Sequence, residues 1–392
     1  MLAGDGAATD VARNSFQLDA DYQEFQGVCR AFVQRQVQPL VRRAEETGRF
    51  PEQLWAQLAA NGFLGLGFDE ALGGSGGGHL AISLFSEELS KASGGIAVTV
   101  LVSAYMAAPH LGRFGTPEQK LAYLTPVIMG KQIAAIAVTE PAAGSDVAGI
   151  TAVAKRSDGG YRLRGTKMFI TNGGIADYVI VAAKTDPSAG HRGISTFIVE
   201  RGRPGFSVGR PLHKMGWHSS DTRELIFDDC FVPESQVLGT VNRGFYQIME
   251  AFQTERVVVA AMGIGLAQAA FDDALAYARE RQAFGQSIGK YQSVRHRLSE
   301  MATDIEAARL LTYRAAAELD GDRDAGEAVA MAKLMSARVA NRVVDDAVQI
   351  FGGYGFLEET PVAMHYRDAR VLRIGAGTDE TQMEILAKRM GL

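Results

Sequence analysis

Hydrophobic positions along the 392-residue chain change their period twice. From Asp19 to about Gly130 they recur at helical spacing, as in Phe25, Val28 and Phe32 and again in Leu54 and Leu58. The punctuation agrees: Pro51 opens one segment, and Thr116-Pro117-Glu118 reads as an N-cap followed by a first-turn proline. A glycine-rich break, Gly73-Gly74-Ser75-Gly76-Gly77-Gly78, divides two helical stretches. From Ile133 to about Val241 the texture becomes short apolar or alternating runs: IAAIAVTE, YRLRGTKMFI, YVIVAAK, ISTFIVE and ELIFDDCFV. Turn signals such as Asp158-Gly159-Gly160 and Asn172-Gly173-Gly174 separate them. No helix-length segment intervenes, so the spacing predicts a compact antiparallel β unit and disfavours a doubly wound parallel sheet. From Asn242 to Leu392 the helical period returns. Val294, Leu298, Met301, Ile305 and Ala308 lay one apolar stripe along a long helix, Asp320-Gly321-Asp322 reads as a turn, and a further helix is predicted from about Gly326 to Phe351. The reading is an α+β chain: a loose tail over 1–18, a helical domain over 19–131, a central β domain over 132–241 and a helical bundle over 242–392.

Composition narrows the class. Apolar residues make up 47% and charged residues 22%, enough for a large core and against whole-chain disorder. Forty basic residues face 45 acidic ones, a net charge of −5, so there is no basic footprint for nucleic acid. The two cysteines, Cys29 and Cys230, are too few for a disulfide framework or a cysteine metal site. They point to a reducing compartment, read here as cytoplasmic. The first fifteen residues carry Asp5 and Asp10 and no apolar core, unlike a signal or transit peptide. The charge-free stretch 92–112 is long enough to cross a membrane. Ser93, Thr99, Ser103 and His110 interrupt it and no Lys/Arg asymmetry orients it, so a buried core helix is expected and no membrane span.

Common catalytic motifs fail on context. Gly73-Gly74-Ser75-Gly76-Gly77 matches G-x-S-x-G, but Asp69 and Glu70 precede it where a nucleophile elbow needs a buried strand. Gly263-Ile264-Gly265 lies inside a helical apolar run, where small residues let helices approach closely, and no G-x-G-x-x-G or G-K-[ST] loop occurs. His213 and His218 share a loop with no third ligand nearby, so no metal site is expected. The unusual feature is Glu255-Arg256, directly before a run over 257–267 with no polar side chain. An acid there is at least partly buried, and burial raises its pKa and makes it a stronger base toward carbon acids once ionised. Periodicity alone favours the plainer reading, a surface or interface ion pair.

Six motifs in order carry a resemblance over nearly the whole chain: AIAVTEPAAGSD (135–146), KMFITNGG (167–174), HKMGWHSSDT (213–222), RQAFGQSIGKYQ (281–292), QIFGGYGF (349–356) and YRDARVLRIGAGTDE (366–380). The chain resembles the acyl-CoA dehydrogenase family, and within it the isovaleryl-CoA and long-chain branches. The resemblance implies an N-terminal helical domain, a central antiparallel β-barrel domain and a C-terminal four-helix bundle. It also implies FAD at the domain junction, reaching into a neighbouring subunit of a homotetramer built as a dimer of dimers. Val138 and Thr139 match positions that reach the flavin ring, and Ser145 one that touches both flavin and substrate. Phe169, Ile170 and Thr171 match the segment that covers one flavin face and bonds near N5; Phe169 stands where many members have Trp. Arg281, Phe284 and Gln292 match contacts to the partner's FAD, followed by Gln349, Gly352 and Gly353, and then by Thr378 and Glu380 on the adenosine side. Taken singly, these residues also read as turn and helix-end chemistry: Arg281 near a helix C-terminus, Gly352-Gly353 as a C-cap.

One departure bears on the chemistry. Most members carry a catalytic glutamate two residues before the Gly-Thr pair near the C-terminus, and here that position is Ala376. Glu255 stands where the isovaleryl and long-chain branches place their base. The implied reaction is α,β-dehydrogenation of an acyl-CoA to a trans-2-enoyl-CoA. Glu255 removes the α-proton, a hydride passes to flavin N5, and the amide of Ala376 is one donor to the thioester oxygen. An electron-transfer flavoprotein is the expected acceptor. Tyr246 and Arg256 match substrate-side positions, with packing or helix ion pairing as the alternative, and Gly375-Ala376 leaves room beside the reacting carbons. A helix with Ile96, Val100, Leu101, Val102 and Tyr105 is expected to line the acyl tail. A carrier-protein thioester as substrate, a flavin oxidase or monooxygenase, a reductase running in reverse and an inactive scaffold remain open on the same fold.

Overall fold

The computed structural model describes residues 18–321 and 324–392. The tail expected over 1–18 therefore lies outside the described residues apart from Leu18, and so does Asp322 of the expected turn.

The N-terminal part is helical: α1 (Ala20–Phe32), α2 (Gln38–Thr47), α3 (Gln53–Ala60), α4 (Gly78–Ala92), α5 (Gly94–Leu101) and α6 (Ala108–Phe114), followed by short turns to Ile128. Thr116 caps as its sequence suggests, in a reciprocal capping box with Gln119. α3 begins two residues after Pro51, with Glu52 as its N-cap. The break over 73–78 is a loop, with Gly73, Gly76, Gly77 and Gly78 all at positive φ. Ser75 donates to the carbonyl of Gly62 there, in no elbow.

The sheet has strands β1 (Ala134–Ala137), β2 (Val153–Ser157), β3 (Gly160–Thr171), β4 (Tyr178–Lys184), β5 (Ile194–Glu200), β6 (Phe206–Pro211), β7 (Thr222–Pro233) and β8 (Val237–Leu238). Its order is β6-β7-β3-β2-β4-β5-β8, with β1 pairing off that path to β4. Two expectations need correction. The strand order runs from β6 to β8 without closing, so this is an open sheet and no barrel. It is mostly antiparallel, but β1 and β2 both pair parallel to β4. The missing alternation in YVIVAAK and ISTFIVE has a simple cause, since β4 and β5 are buried on both faces. One face packs among the sheet's own inner residues, such as Val179 and Phe197. The other packs on α6 through Tyr178, Ile180, Ile198 and Leu111.

The C-terminal part holds three long helices, α7 (Gly244–Glu280), α8 (Gln292–Leu319) and α9 (Gly326–Phe351), completed by α10 (Pro361–Ala369) and α11 (Asp379–Arg389). The stripe on α8 is buried as expected at Leu298, Met301, Ile305 and Ala308. α7 lies against α4, α8 and α9, which explains its wholly apolar middle: it is covered on all sides. The close approach expected at the Gly-Ile-Gly pair is present. A Cβ on Gly263 would stand 2.4 Å from Ser336 Oγ, and one on Gly265 2.2 Å from the backbone oxygen of Glu87 on α4. The segments Gly94–Phe114 and Gly244–Glu280 are long and apolar enough to cross a membrane, yet 100% and 72% of their apolar windows are buried inside the molecule. Both serve as core helices.

Gly265→Ala puts its methyl against main chain that cannot swing aside. It is expected to cost about 1–3 kcal/mol of stability, read as a lower denaturation midpoint. An unchanged midpoint would contradict the packing of α7 on α4.

Candidate active site

α7 carries the acid. Glu255 is half-buried between Thr254 and Arg256, which are 2% and 7% exposed, so the surface ion pair favoured by periodicity is not what forms. No described residue hydrogen-bonds or ion-pairs with its carboxylate. Burial pushes its pKa up to about 7, against the opposing pull of the Arg256 and Lys333 cations. Arg256 is buried with no acceptor for its Nε, and burial lowers its pKa while Glu255 acts against that fall. A guanidinium buried without acceptors is costly, and so is a carboxylate without donors. Side by side they describe a polar site prepared for a ligand.

Lys333, which interacts electrostatically with both, also reaches the turn over 375–377. Ala376 holds a left-handed backbone at φ 54°, and Gly377 one at φ 88°. Gln382 Nε2 donates to the carbonyls of Ala376 and Gly377 at 3.3 and 3.2 Å, and the ammonium of Lys333 donates to Gly377. With its carbonyls drawn inward, the amide of Ala376 finds no acceptor within the described chain. A Cβ on Gly375 would meet nothing closer than 3.6 Å, so that side is open. Lys333 is fully buried on α9 and senses Glu255, Arg256, Asp379 and Glu380 together. It thereby links the α7 acid to the turn, and the sequence reading missed it.

The sheet brings a second group together at the end of β3. Met168 N donates to Thr139 O at 2.9 Å, and the fully buried Lys167 ammonium donates to Val138 O at 2.9 Å and Glu140 Oε1 at 2.7 Å. Glu140 in turn accepts from the amides of Thr151 and Ala152. This pair, also unforeseen, ties the strand after β1 to β3. Between Lys167 and Ile170 the β3–β7 register slips in a bulge. At the bulge Phe169 takes φ 61° and is 67% exposed. Ile170 turns its side chain into the sheet core, leaving only backbone to face outward, and Val138 packs beside Ile248 of α7. Ser145 is exposed with no partner for its hydroxyl.

A third group lies at the far end of α7. Arg281, its C-cap, stands over the ring of Tyr354 at 5.8 Å. With Gly352 and Gly353 it lines a cavity of about 460 Å³. Gly352 also caps α9 at φ 60°, so the helix-end readings hold for the backbone of both residues. Phe284 is 98% exposed at φ 52°, and Gln292 and Gln349 are exposed nearby. Thr378 is committed to capping α11 by accepting from Thr381 N, and Glu380 sits in that first turn. At 1.5 Å per residue Arg281 lies about 39 Å along the helix from Glu255, beyond the reach of one dinucleotide. Tyr246 lies about 14 Å from Glu255 along α7 and on the other side of the helix. There it touches His191 and Arg243. Ile96, Val100, Leu101, Val102 and Tyr105 are buried in the main core.

A flavin fits these features. A bulky residue at positive φ is strained, and an aromatic pushed into solvent loses the burial that would repay it. Phe169 shows both, as expected of a plane that stacks on a planar ligand. The open, glycine-lined cavity under Arg281 suits a pyrophosphate.

Comparison with known proteins bears on these features. Three family models match in order: the acyl-CoA dehydrogenase N-terminal domain over residues 19–131, the middle domain over 135–230 and the C-terminal domain over 242–391. The chain is 41% identical over 374 residues to a short-chain-specific acyl-CoA dehydrogenase of Megasphaera elsdenii, covering 94% of this chain and 98% of that one. It is 37% identical over 394 residues to a mitochondrial isovaleryl-CoA dehydrogenase of Oryza sativa subsp. japonica, covering 100% and 96%. Among solved structures, an FAD complex of PigA superposes with a TM-score of 0.93 at 34% identity, covering 96% of this chain and 99% of that one.

The acid leaves a mark on stability. An unfolded glutamate ionises near 4.5 and the folded Glu255 near 7. Between those values the native state keeps a proton that the unfolded chain has lost, so stability falls as pH rises through that window. Glu255→Gln should therefore melt higher than the parent chain at pH 8, with the difference closing toward pH 4.5. Equal melting temperatures at pH 8 would contradict the burial of this carboxyl.

Proposed function

The chain belongs to the acyl-CoA dehydrogenase family, and from that premise we propose that Glu255 is the base that removes the α-proton of an acyl thioester. It is an FAD-dependent oxidoreductase. FAD, when bound, supplies the acceptor for the hydride that leaves the β-carbon. Thr139, Phe169, Thr171 and Ser145 would hold it on the sheet side. The observation that carries the base assignment is a half-buried carboxylate on α7 with no partner among the described residues, in a chain whose residue 376 is alanine.

The residues divide the work by their chemistry. Glu255, with its pKa near 7, is partly ionised at neutral pH and basic enough to take a proton from carbon. The free amide of Ala376 donates to the thioester oxygen as negative charge gathers there. A backbone donor does not depend on the side chain at 376. Arg256, orphaned in the resting protein, takes an oxygen of the substrate as its acceptor. The open side of Gly375 leaves room for a branch at the reacting carbons, while the residues of α5 are packed in the core. Together these favour a short or branched acyl chain carried on CoA; a carrier-protein thioester has the same reacting end.

The cofactor site is shared between two copies of the chain in this reading, in a homotetramer. The distance from Glu255 to Arg281 supports that sharing, because one FAD cannot meet both ends of α7. An electron-transfer flavoprotein is the proposed acceptor. The two buried, unpaired cysteines suit a reducing compartment such as the cytoplasm.

Glu255→Gln should keep its FAD and lose turnover by about 10²–10⁴-fold with acyl-CoA substrates. In the parent enzyme kcat/KM should rise with pH through about 7 as the base ionises. Near-parent turnover in the variant, measured anaerobically by bleaching of the flavin against acyl-CoAs of graded length and branching, would reject the assignment. The shared site has its own test. Phe169→Ala and Arg281→Ala damage opposite halves, so each alone should retain less FAD. Co-expressed, they should form mixed assemblies with some intact sites and recover part of it. No recovery from assemblies shown to be mixed would contradict sharing.

A further inference from the structure

Lys333 is the most costly side chain in the bundle that the mechanism leaves unused. It is completely buried on α9, and a buried ammonium is unfavourable unless something holds it. Its one hydrogen bond among the described residues goes to the carbonyl of Gly377, which Gln382 also contacts. Four charged groups act on it through space: Glu255 and Arg256 from α7, and Asp379 and Glu380 from the start of α11. Asp379 is itself occupied by Arg338 and Arg373 at 3.2 and 2.8 Å. The ammonium is thus placed to act on the turn and on the acid at once.

We propose that Lys333 is a positioning residue of the acyl-thioester site: it pins the carbonyl side of the 375–377 turn, so that the Ala376 amide stays free for the thioester oxygen, and its charge offsets the cost of ionising Glu255. The inference rests on the base assignment above only for its second half. The first half follows from the turn. Ala376 and Gly377 both hold left-handed backbone, and for alanine that conformation persists only where its surroundings enforce it. Lys333 and Gln382 are the two side chains that grip the turn's carbonyls. The direction of the titrations agrees, since burial brings Lys333 down to about 8 while Asp379 and Glu255 pull it back up. The Lys333 cation likewise restrains the rise at Glu255.

Two variants separate the two roles. Lys333→Gln keeps a donor for Gly377 and loses the charge. Without that cation Glu255 ionises at a higher pH, by about one unit. The lower limb of the kcat/KM profile should move up by that amount, with an about tenfold loss at pH 6 that shrinks above pH 8. Lys333→Met loses both donor and charge. It should also lower kcat at all pH values. A chromophoric enoyl-CoA bound to it should show a smaller red shift than in the parent, because less polarisation reaches its carbonyl. This optical readout does not involve the base, so it stands or falls apart from the Glu255→Gln result. FAD-loaded Lys333→Met with the parent's pH limb and red shift would overturn the proposal. Should neither lysine variant load FAD, Gln382→Leu decides, since it removes the donor to Ala376 and the second donor to Gly377 while keeping the charge. A reduced red shift with the pH limb in place supports the proposal, and an unchanged red shift overturns it.

Discussion

The structure depends on a carboxylate that is half withdrawn from water and has no hydrogen-bond or ion-pair partner among the described residues. In a folded chain such a group is a standing cost, because ionisation in a poorly solvated place is unfavourable. Glu255 sits at the edge of a helix segment covered by α4, α8 and α9, and that cover sets its pKa near 7. The cations Arg256 and Lys333 keep the rise from going further. The site is therefore a balance of desolvation against charge, with both sides fixed by the packing of α7.

The sheet meets a different constraint. It turns a flat aromatic outward while staying closed to water behind. The bulge at Phe169 turns the ring out, and the next residue, Ile170, returns to the core. The buried pair Lys167–Glu140 holds this edge from inside, with Glu140 also accepting from two backbone amides. A buried pair of this kind gives little net stability, but losing one member would leave the other charged and unsolvated. Its effect is to fix geometry.

Much of this was legible in the sequence. The two changes of hydrophobic period marked helix, sheet and helix, and the stripe on α8 and the span of α9 followed from spacing. The open edge of the sheet did not, since strand runs carry no record of which neighbours they pair with. β2 and β6 were also unread because VAKRS and FSVGRP are largely exposed and lack apolar alternation. Glu255 was visible only as an oddity, and its reading as a base came from the empty position at Ala376 together with the family resemblance. Lys333 left a readable trace that went unread: it falls four residues after Val329 and three before Ser336, on the apolar face of α9. A lysine on a core stripe has a reason to be there.

The length of α7 has a consequence beyond catalysis. One continuous rod carries the carboxyl of Glu255 in its first third and the guanidinium of Arg281 at its C-cap, so two chemically separate groups share a single mechanical part. Were the proposed shared site built on that rod, subunit dissociation and loss of FAD would become one equilibrium. Dilution would then inactivate the protein by emptying it, well before any helix unfolds.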